Sequence, residues 1–493
     1  MLLSAVISIL AIIIGYLFKA ALIILALLFI FMLVFVIYKQ GKSIYILTFA
    51  FPFLICLSMI ITFGKIGTLS KFESQKDICK FTVKEITYEN QNLSIATIRI
   101  DESEKLPKGS NLTLFYDKNN LSVGDIAKGK LKLSKISSKY QLSSYSEGSY
   151  LSASCYDYEK LNETDSFLKG VSKVREYISK TLFENLDYNE FATMTALCFG
   201  EKSYFTDTFS QNVKASGVSH VMVVSGMHLS ILVTFFTFLI NKLFYNKYLN
   251  AFVRIFVVII LCFLCGFTMS IIRAGVMYLV TALGIILNRK GDSANSLGTA
   301  CVLILTFAPL AIFNIGFLLS LLSTFGILSI SLPISRYLKE RDIIKNPILA
   351  SVVFALLTSL AATVLVTPII IYFYGYISLF GVLTTFLISY AVTVTIWICV
   401  TALLINLVLA PFSDILFFVL NYILKYINFI INKLAGIPFA TLNTPTAFTF
   451  VAIFIIIVIF YFMFACKKRI DMLKLKEIRT KMIKEGGDRI RWQ

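Results

Sequence analysis

The chain has 493 residues, 57% of them hydrophobic, a mean hydropathy of +0.81 and a formal net charge of +18. A soluble domain runs nearer ~45–50% apolar, and a soluble chain this apolar would expose large patches and aggregate, so a soluble globular protein is excluded. The charge permits a polyanionic partner without requiring one, because lysine and arginine holding cytoplasmic loops give the same excess.

Residues 1–18 and 20–38 are apolar and nearly contiguous, which predicts a tight helical hairpin. Lys39 and Lys42 mark a cytoplasmic turn, and 43–63 is a third span that brings the chain outside. No basic leader with a small-residue cleavage site opens the chain, so the first segment reads as an anchor. Residues 66–160 then change character, with charges of both signs and alternation in place of long apolar runs. Phe81, Val83 and Ile86 open one strand, and 93–100, 112–116 and 126–133 supply others. Asp117, Asn119-Asn120 and Gly124-Asp125 are the turn chemistry between them. Five or so short strands in about 90 residues predict an extracellular small β-barrel inserted between membrane helices, an OB-like fold being the obvious candidate. Lys128, Lys130 and Lys132 share one strand face, which is either solvated or a DNA contact. Cys79 and Cys155 bracket the region and are a candidate disulfide if it faces an oxidising exterior.

Residues 161–217 form amphipathic or interfacial helices, with helical periodicity and polar faces at 171–185 and 191–197. From 218 to 466 apolar runs dominate. Spans are predicted at 218–240, 251–267, 271–288, 294–313, 315–332, 347–373, somewhere in 376–410, and 446–465. Basic loops at 242–247, 289–290 and 336–345 fall on alternate turns, as the positive-inside rule expects. Asn421, Lys425, Asn428, Asn432 and Lys433 mark 414–436 as a wet face or an interfacial helix. The tail 467–493 holds ten Lys or Arg against four Asp or Glu and reads as cytoplasmic. That parity requires one crossing more or fewer than can be assigned between 376 and 440. The expected class is a polytopic α-helical, multi-pass cell-membrane protein.

Polar residues inside lipid mark a pathway or a helix contact. The densest run contains Ser219, His220, Ser225, Gly226 and His228. Ser225-Gly226 interrupts an apolar helix, and freed backbone groups are tolerable only beside protein or a water cavity. His220 and His228, eight residues apart, fall on similar faces of one helix. An aqueous lining and plain small-residue packing both fit. Arg273 lies one turn into an apolar helix, where insertion costs roughly 2.5–3.5 kcal/mol. Acidic residues are scarce in the spans, so helix-end carbonyls or a passing phosphate are its expected partners. Asn314, Ser320 and Ser323 form a third polar-interrupted stretch, suited to pore lining or to packing. The two histidines exclude a zinc site built on several of them, and Cys262 and Cys265 form a CxxC within a membrane run, so no metal or cofactor is expected. No G-x-x-x-x-G-K-[ST] loop is present, so energy must come from elsewhere.

Four motifs in order carry a resemblance. They are Ser-Gly-Val-Ser-His…Val-Ser-Gly-Met-His-Leu-Ser at 216–230 and Gly-Phe-Thr-Met-Ser…Arg-Ala-Gly-Val-Met at 266–277. Ala308-Pro309-Leu310 with Asn314-Ile315-Gly316-Phe317-Leu318-Leu319-Ser320 is the third, and Ser359-Leu360-Ala361-Ala362 with Thr367-Pro368 and Tyr374-Gly375 the fourth. Together with the strand-rich region they resemble the ComEC family of competence DNA-uptake channels. The resemblance implies passage of single-stranded DNA across the cytoplasmic membrane during natural transformation. It also implies other competence proteins as partners: a DNA receptor, a cytoplasmic helicase or ATPase and a separate nuclease, with a homo-oligomer open. Many family members carry a C-terminal metallo-β-lactamase-like domain needing an H-x-H-x-D-H cluster. Both histidines here are upstream and only 27 residues follow 466, so the chain is not expected to be that nuclease or any other enzyme. Two alternatives stand beside the channel: a transporter or export channel for another polyanionic or lipid-linked substrate, and an intramembrane hydrolase using Ser225 and His228, three residues apart.

Overall fold

The computed structural model describes residues 1–17, 21–38, 43–89, 94–116, 121–155, 157–164, 166–243, 246–288 and 292–461. Lys39, Lys42, Asp117, Asn119-Asn120, the loop 289–290 and the basic tail from Lys467 lie outside the described residues.

Three apolar helices open the chain: α1 (Leu2–Leu17), α2 (Ala21–Tyr38) and α3 (Ser43–Ser70). A helix satisfies every backbone group within itself, which is what an apolar segment in lipid needs. The chain then turns to strands: β1 (Lys76–Glu89), β2 (Ser94–Ser103), β3 (Asn111–Tyr116) and β4 (Asp125–Ser134). Helix α4 (Ser138–Ser146) follows, then β5 (Ser149–Cys155) and β6 (Tyr158–Thr164). The order β1-β2-β3-β5-β4 closes because β4 pairs back onto β1, and β6 adds to β4. Only β3 and β5 run parallel. The result is a small OB-like barrel of five strands. Strict alternation along β4 buries Ala127, Gly129, Leu131 and Leu133 and exposes the lysines between them. Phe81, Ile98, Leu112 and Leu114 fill the interior beside them.

The expected Cys79–Cys155 disulfide is absent; both are buried free thiols in the barrel core. Cys79 pairs with Gly129 across β1 and β4. Cys155 donates its thiol to the Asp157 carbonyl at 3.3 Å. Burial pushes the Cys79 thiol up to about 12 and the Cys155 thiol upward as well, so both stay protonated and unreactive.

The membrane body contains α5 (Ser166–Asn185), α6 (Tyr188–Phe199), α7 (Asp207–Ala215), α8 (Gly226–Leu243), α9 (Lys247–Leu264), α10 (Met269–Ile286) and α11 (Ser293–Phe307). A 3-10 turn, Pro309–Phe313, leads into α12 (Ile315–Gly326), which continues through the π-helical turn Ile327–Ser331 into α13 (Leu332–Glu340). Next come α14 (Pro347–Tyr374), β7 (Tyr376–Ser378), α15 (Gly381–Asn406), α16 (Ala410–Ala435) and β8 (Thr441–Asn443). Among the described residues, six helices are long and apolar enough to cross a membrane, and five shorter apolar helices accompany them. The protein is a multi-pass membrane protein.

Between 376 and 440 the chain holds two such helices, α15 and α16, and the flanking strands β7 and β8 pair antiparallel. The stripe Asn421, Lys425, Asn428 and Asn432 on α16 is a polar packing seam whose Lys425 and Asn432 stay exposed at its edge. Asn421 Nδ2 donates to Asp187 at 3.1 Å and Lys425 pairs with the same carboxylate at 2.7 Å. Thr193 donates to Asn428 at 2.7 Å, and Asn212 donates to Asn432 at 2.9 Å. These bonds hold α16 against α6 and α7, whose Phe191, Met194 and Leu197 are buried in one core with α8, α15 and α16. Most of α6 is therefore interior, although its polar positions read as a surface face.

Candidate functional site

The predicted helix at 218–240 begins eight residues late, at Gly226. Gly217, at φ +76°, ends the turn after α7, and a methyl there would stand 2.6 Å from Ser378 Oγ. Residues 218–225 then run as turns. His220 is thereby outside the helix and exposed, so it does not share a helical face with His228. Ser219 donates to the Val213 carbonyl at 3.5 Å.

Ser225 is the N-terminal cap of α8. Its hydroxyl accepts from the Met227 backbone N–H at 3.3 Å. His228, at the third helical position, reaches back so that Nδ1 accepts the Ser225 backbone N–H at 3.2 Å. This reciprocal arrangement satisfies two orphan donors of the first turn, as a capping box does. It also settles the ring's polarity: a backbone N–H can only donate, so Nδ1 is the acceptor. The Ser225 hydroxyl lies 3.2 Å from the same nitrogen, but the lone pair is already shared with the backbone. His228 is 1% exposed, with Nε2 buried and unpartnered among the described residues. Among the described residues no acid hydrogen-bonds the ring, and the bonds the pair makes are those of a helix cap.

Arg273 is 5% exposed and has no carboxylate within ion-pair distance among the described residues. Its Nε donates to Ser320 Oγ on α12 at 2.9 Å, and Nη1 approaches Met277 Sδ at 3.2 Å. Ser270 Oγ lies 3.0 Å from Ser320 Oγ. On the other side stands Gly226, where an added Cβ would come within 3.0 Å of Nη2. The guanidinium thus bridges α10, α12 and the first residue of α8. Only α8 begins at it, since Arg273 is the fifth residue of α10 and Ser320 the sixth of α12. The start of α8 carries a partial positive charge of roughly half an electron, which adds to the guanidinium in favouring an anion.

Asn314 caps α12 by accepting the Phe317 N–H at 3.0 Å, and its amide donates to Ser146 of the barrel domain at 3.2 Å. The barrel therefore rests on the helix start that leads to Ser320. A cavity of about 130 Å³ lies at this junction, lined by Thr62, Tyr145, Glu147, Tyr150, Met269 and Pro309 among others.

The helices around Arg273 close a circuit of neighbours: α8 packs on α10, α10 on α12, α12 on α14, α14 on α15, and α15 on α8. Trp397 of α15 donates to the Ile231 carbonyl of α8 at 3.2 Å, closing the last joint. Gly326 lets α12 approach α14 so closely that a Cβ would stand 2.3 Å from the Ala361 carbonyl.

On the barrel, Lys128, Lys130 and Lys132 are exposed as expected. Register adds what spacing alone does not reveal: Lys132 stands opposite Lys76, and Lys128 opposite Lys80, on β1. Like charges placed directly across a ladder are destabilising. No group of three or more metal-capable side chains occurs among the described residues.

A family profile described as competence protein matches residues 197–469. The ComE operon protein 3 of Bacillus subtilis (strain 168) is 23% identical over 170 residues, which are 34% of this chain and 22% of that protein. The likeness thus spans less than a quarter of that relative's length. No solved structure matches.

Proposed function

The chain belongs to the competence protein family, and on that premise we propose that it carries single-stranded DNA across the membrane along the path walled by α8, α10, α12, α14 and α15. One observation carries this reading: a buried arginine with no carboxylate partner among the described residues, held by hydroxyl and thioether groups beside the start of α8. An arginine so placed has unspent charge, and a phosphodiester passing the start of α8 would meet it with donors already arranged. Neutral partners hold the guanidinium loosely enough to let each phosphate leave, as conduction requires. The lysine face of β1 and β4 would collect the strand at the mouth through its phosphates.

The circuit is narrow at rest. Five helices spaced by about 9 Å put their axes about 8 Å from the centre. A helix radius of about 5 Å then leaves about 3 Å of bore, enough for water and too little for a nucleotide. A wall must give way, and α14 is the least enclosed of the six long helices. Energy and a receptor would come from partner proteins. Uptake of labelled DNA into the nuclease-resistant pool of a deletion strain tests the proposal. Loss of uptake, restored by the intact gene, is expected; normal uptake without the protein would overturn it.

A further inference from the structure

The turn that starts α10 lies against the barrel domain. Helix α9 ends in a left-handed Gly266 (φ +76°), with the Phe267 N–H donating to the Cys262 carbonyl at 3.0 Å. That bond is the signature of a Schellman ending. Phe267 itself sits at φ +55°, a conformation side chains resist. Thr268 then occupies the cap position of α10 without capping it, and its hydroxyl is buried and unpartnered among the described residues. Arg273 follows five residues later. This turn is thus strained; Cys265 Sγ reaches the Cys198 carbonyl of α6 at 3.4 Å and the Phe267 ring packs on Phe263, but the Thr268 hydroxyl adds no tie.

What touches it is Glu85 of β1. A Cβ added to Gly266 would lie 2.9 Å from Glu85 Oε1. Glu85 gets there through a bulge: the β1–β2 register slips between Val83 and Glu85, so Lys84 and Glu85 are both exposed where alternation would turn one inward. A bulge is a device for re-aiming a side chain. We propose that Glu85 is a positioning residue, seating the barrel domain on the Cys265–Thr268 turn and through it setting where Arg273 stands. The idea rests on the reading of Arg273 as the conduit's anion contact, but its test does not.

The charged groups facing Glu85 are Glu147, which follows α4, and Arg175 of α5, which itself pairs with Glu201 at 3.7 Å. Glu85 keeps an exposed edge, but the crevice removes part of its water and Glu147 repels its charge; together they outweigh Arg175 and push its carboxyl up to about 7. Glu147 is raised by desolvation too. An undocked Glu85 would titrate near the ordinary value of about 4.3. Docking is then undiminished below that value. It weakens as pH climbs from there to about 7, and is level above.

The test is maleimide labelling of Thr268→Cys in the full chain in membrane vesicles, read by mass at that peptide and corrected by the same protein denatured. Labelling should rise with the open fraction, by up to about fortyfold between pH 5 and pH 7 for a turn that stays mostly docked, and level off within about another twofold above that. Glu85→Gln in this background should hold labelling low at every pH, and Glu85→Ala should leave it high and flat. Glu85→Gln keeps size and hydrogen bonding, so its profile decides the matter if Glu85→Ala is poorly made. A Glu85→Gln profile that still rises with pH, or a flat profile without the substitution, would overturn the proposal. DNA uptake is not read here, so failure of the transport reading leaves this outcome independent.

Discussion

Gly226 of α8 and Arg273 of α10 stand in contact, and the absent side chain of the first makes room for the guanidinium of the second. A methyl at 226 would also meet Ala274 Cβ at 3.2 Å. The arginine tip can yield where a backbone could not, so Gly226→Ala should cost only about 1 kcal/mol of stability. The shift would nevertheless pull Nε away from Ser320. Uptake should fall several-fold at unchanged protein level and nearly unchanged melting temperature. Full uptake would show that the contact has no bearing on passage.

Ser225→Ala separates a cap from a nucleophile. Losing the cap should destabilise α8 by about 1 kcal/mol and leave uptake within about twofold. Complete loss of function in protein that melts normally would instead restore the hydrolase reading.

Lys76 and Lys132 oppose one another, which no stability requirement favours, whereas Lys128 also faces Glu159 of β6 and Lys80 faces Glu102 of β2. Changing Lys76 and Lys132 together to Gln should leave the barrel equally or more stable. Oligonucleotide binding to the purified protein should weaken, with the log–log salt slope shallower by about 0.7 per lysine removed. Unchanged affinity and slope would remove this face from the DNA path.

Much of the fold was written locally. Alternation at Leu131, Lys132 and Leu133 marks β4, and uncharged runs mark the long helices. The start of α8 was hidden because Val218, Val221, Met222 and Val224 are as apolar as a helix, and Ser225-Gly226 reads as a break within one helix and not as its beginning. Strand β5 was hidden because its buried Ser149 and Ser152 break the apolar pattern. Arg273 stood out as a costly residue, but its partner Ser320 lies 47 positions away, and nothing in the spacing joins them. The same holds for Lys76 opposite Lys132 and for the bulge that aims Glu85. Motifs name the participants, whereas register and helix crossings decide who meets.

Asp77 sets an acid limit on the barrel. Desolvation pushes its carboxyl up, but hydrogen bonds outweigh it and leave the group lowered. Ser103 Oγ donates to it at 2.6 Å, and the Leu106 and Lys105 N–H groups at 3.3 Å each. A depressed carboxyl contributes stability above its unfolded value, about 3.9, and loses it as pH falls through the folded one. Melting of the β structure should therefore drop to lower temperature below about pH 4, and Asp77→Asn should flatten that acid limb. An equally steep limb in the variant would assign it elsewhere.

Substitution at Arg273 probes the conduit most directly. Labelled-DNA uptake should be partly kept by Arg273→Lys, reduced about tenfold or more by Arg273→Gln, the equivalent of one charge-assisted hydrogen bond, and abolished by Arg273→Glu, at matched protein levels. A buried positive charge beside the start of α8 is then what the passing strand meets. Uptake at the unmodified rate with glutamate at 273 would contradict it, since no phosphate chain could share that wall with a second negative charge.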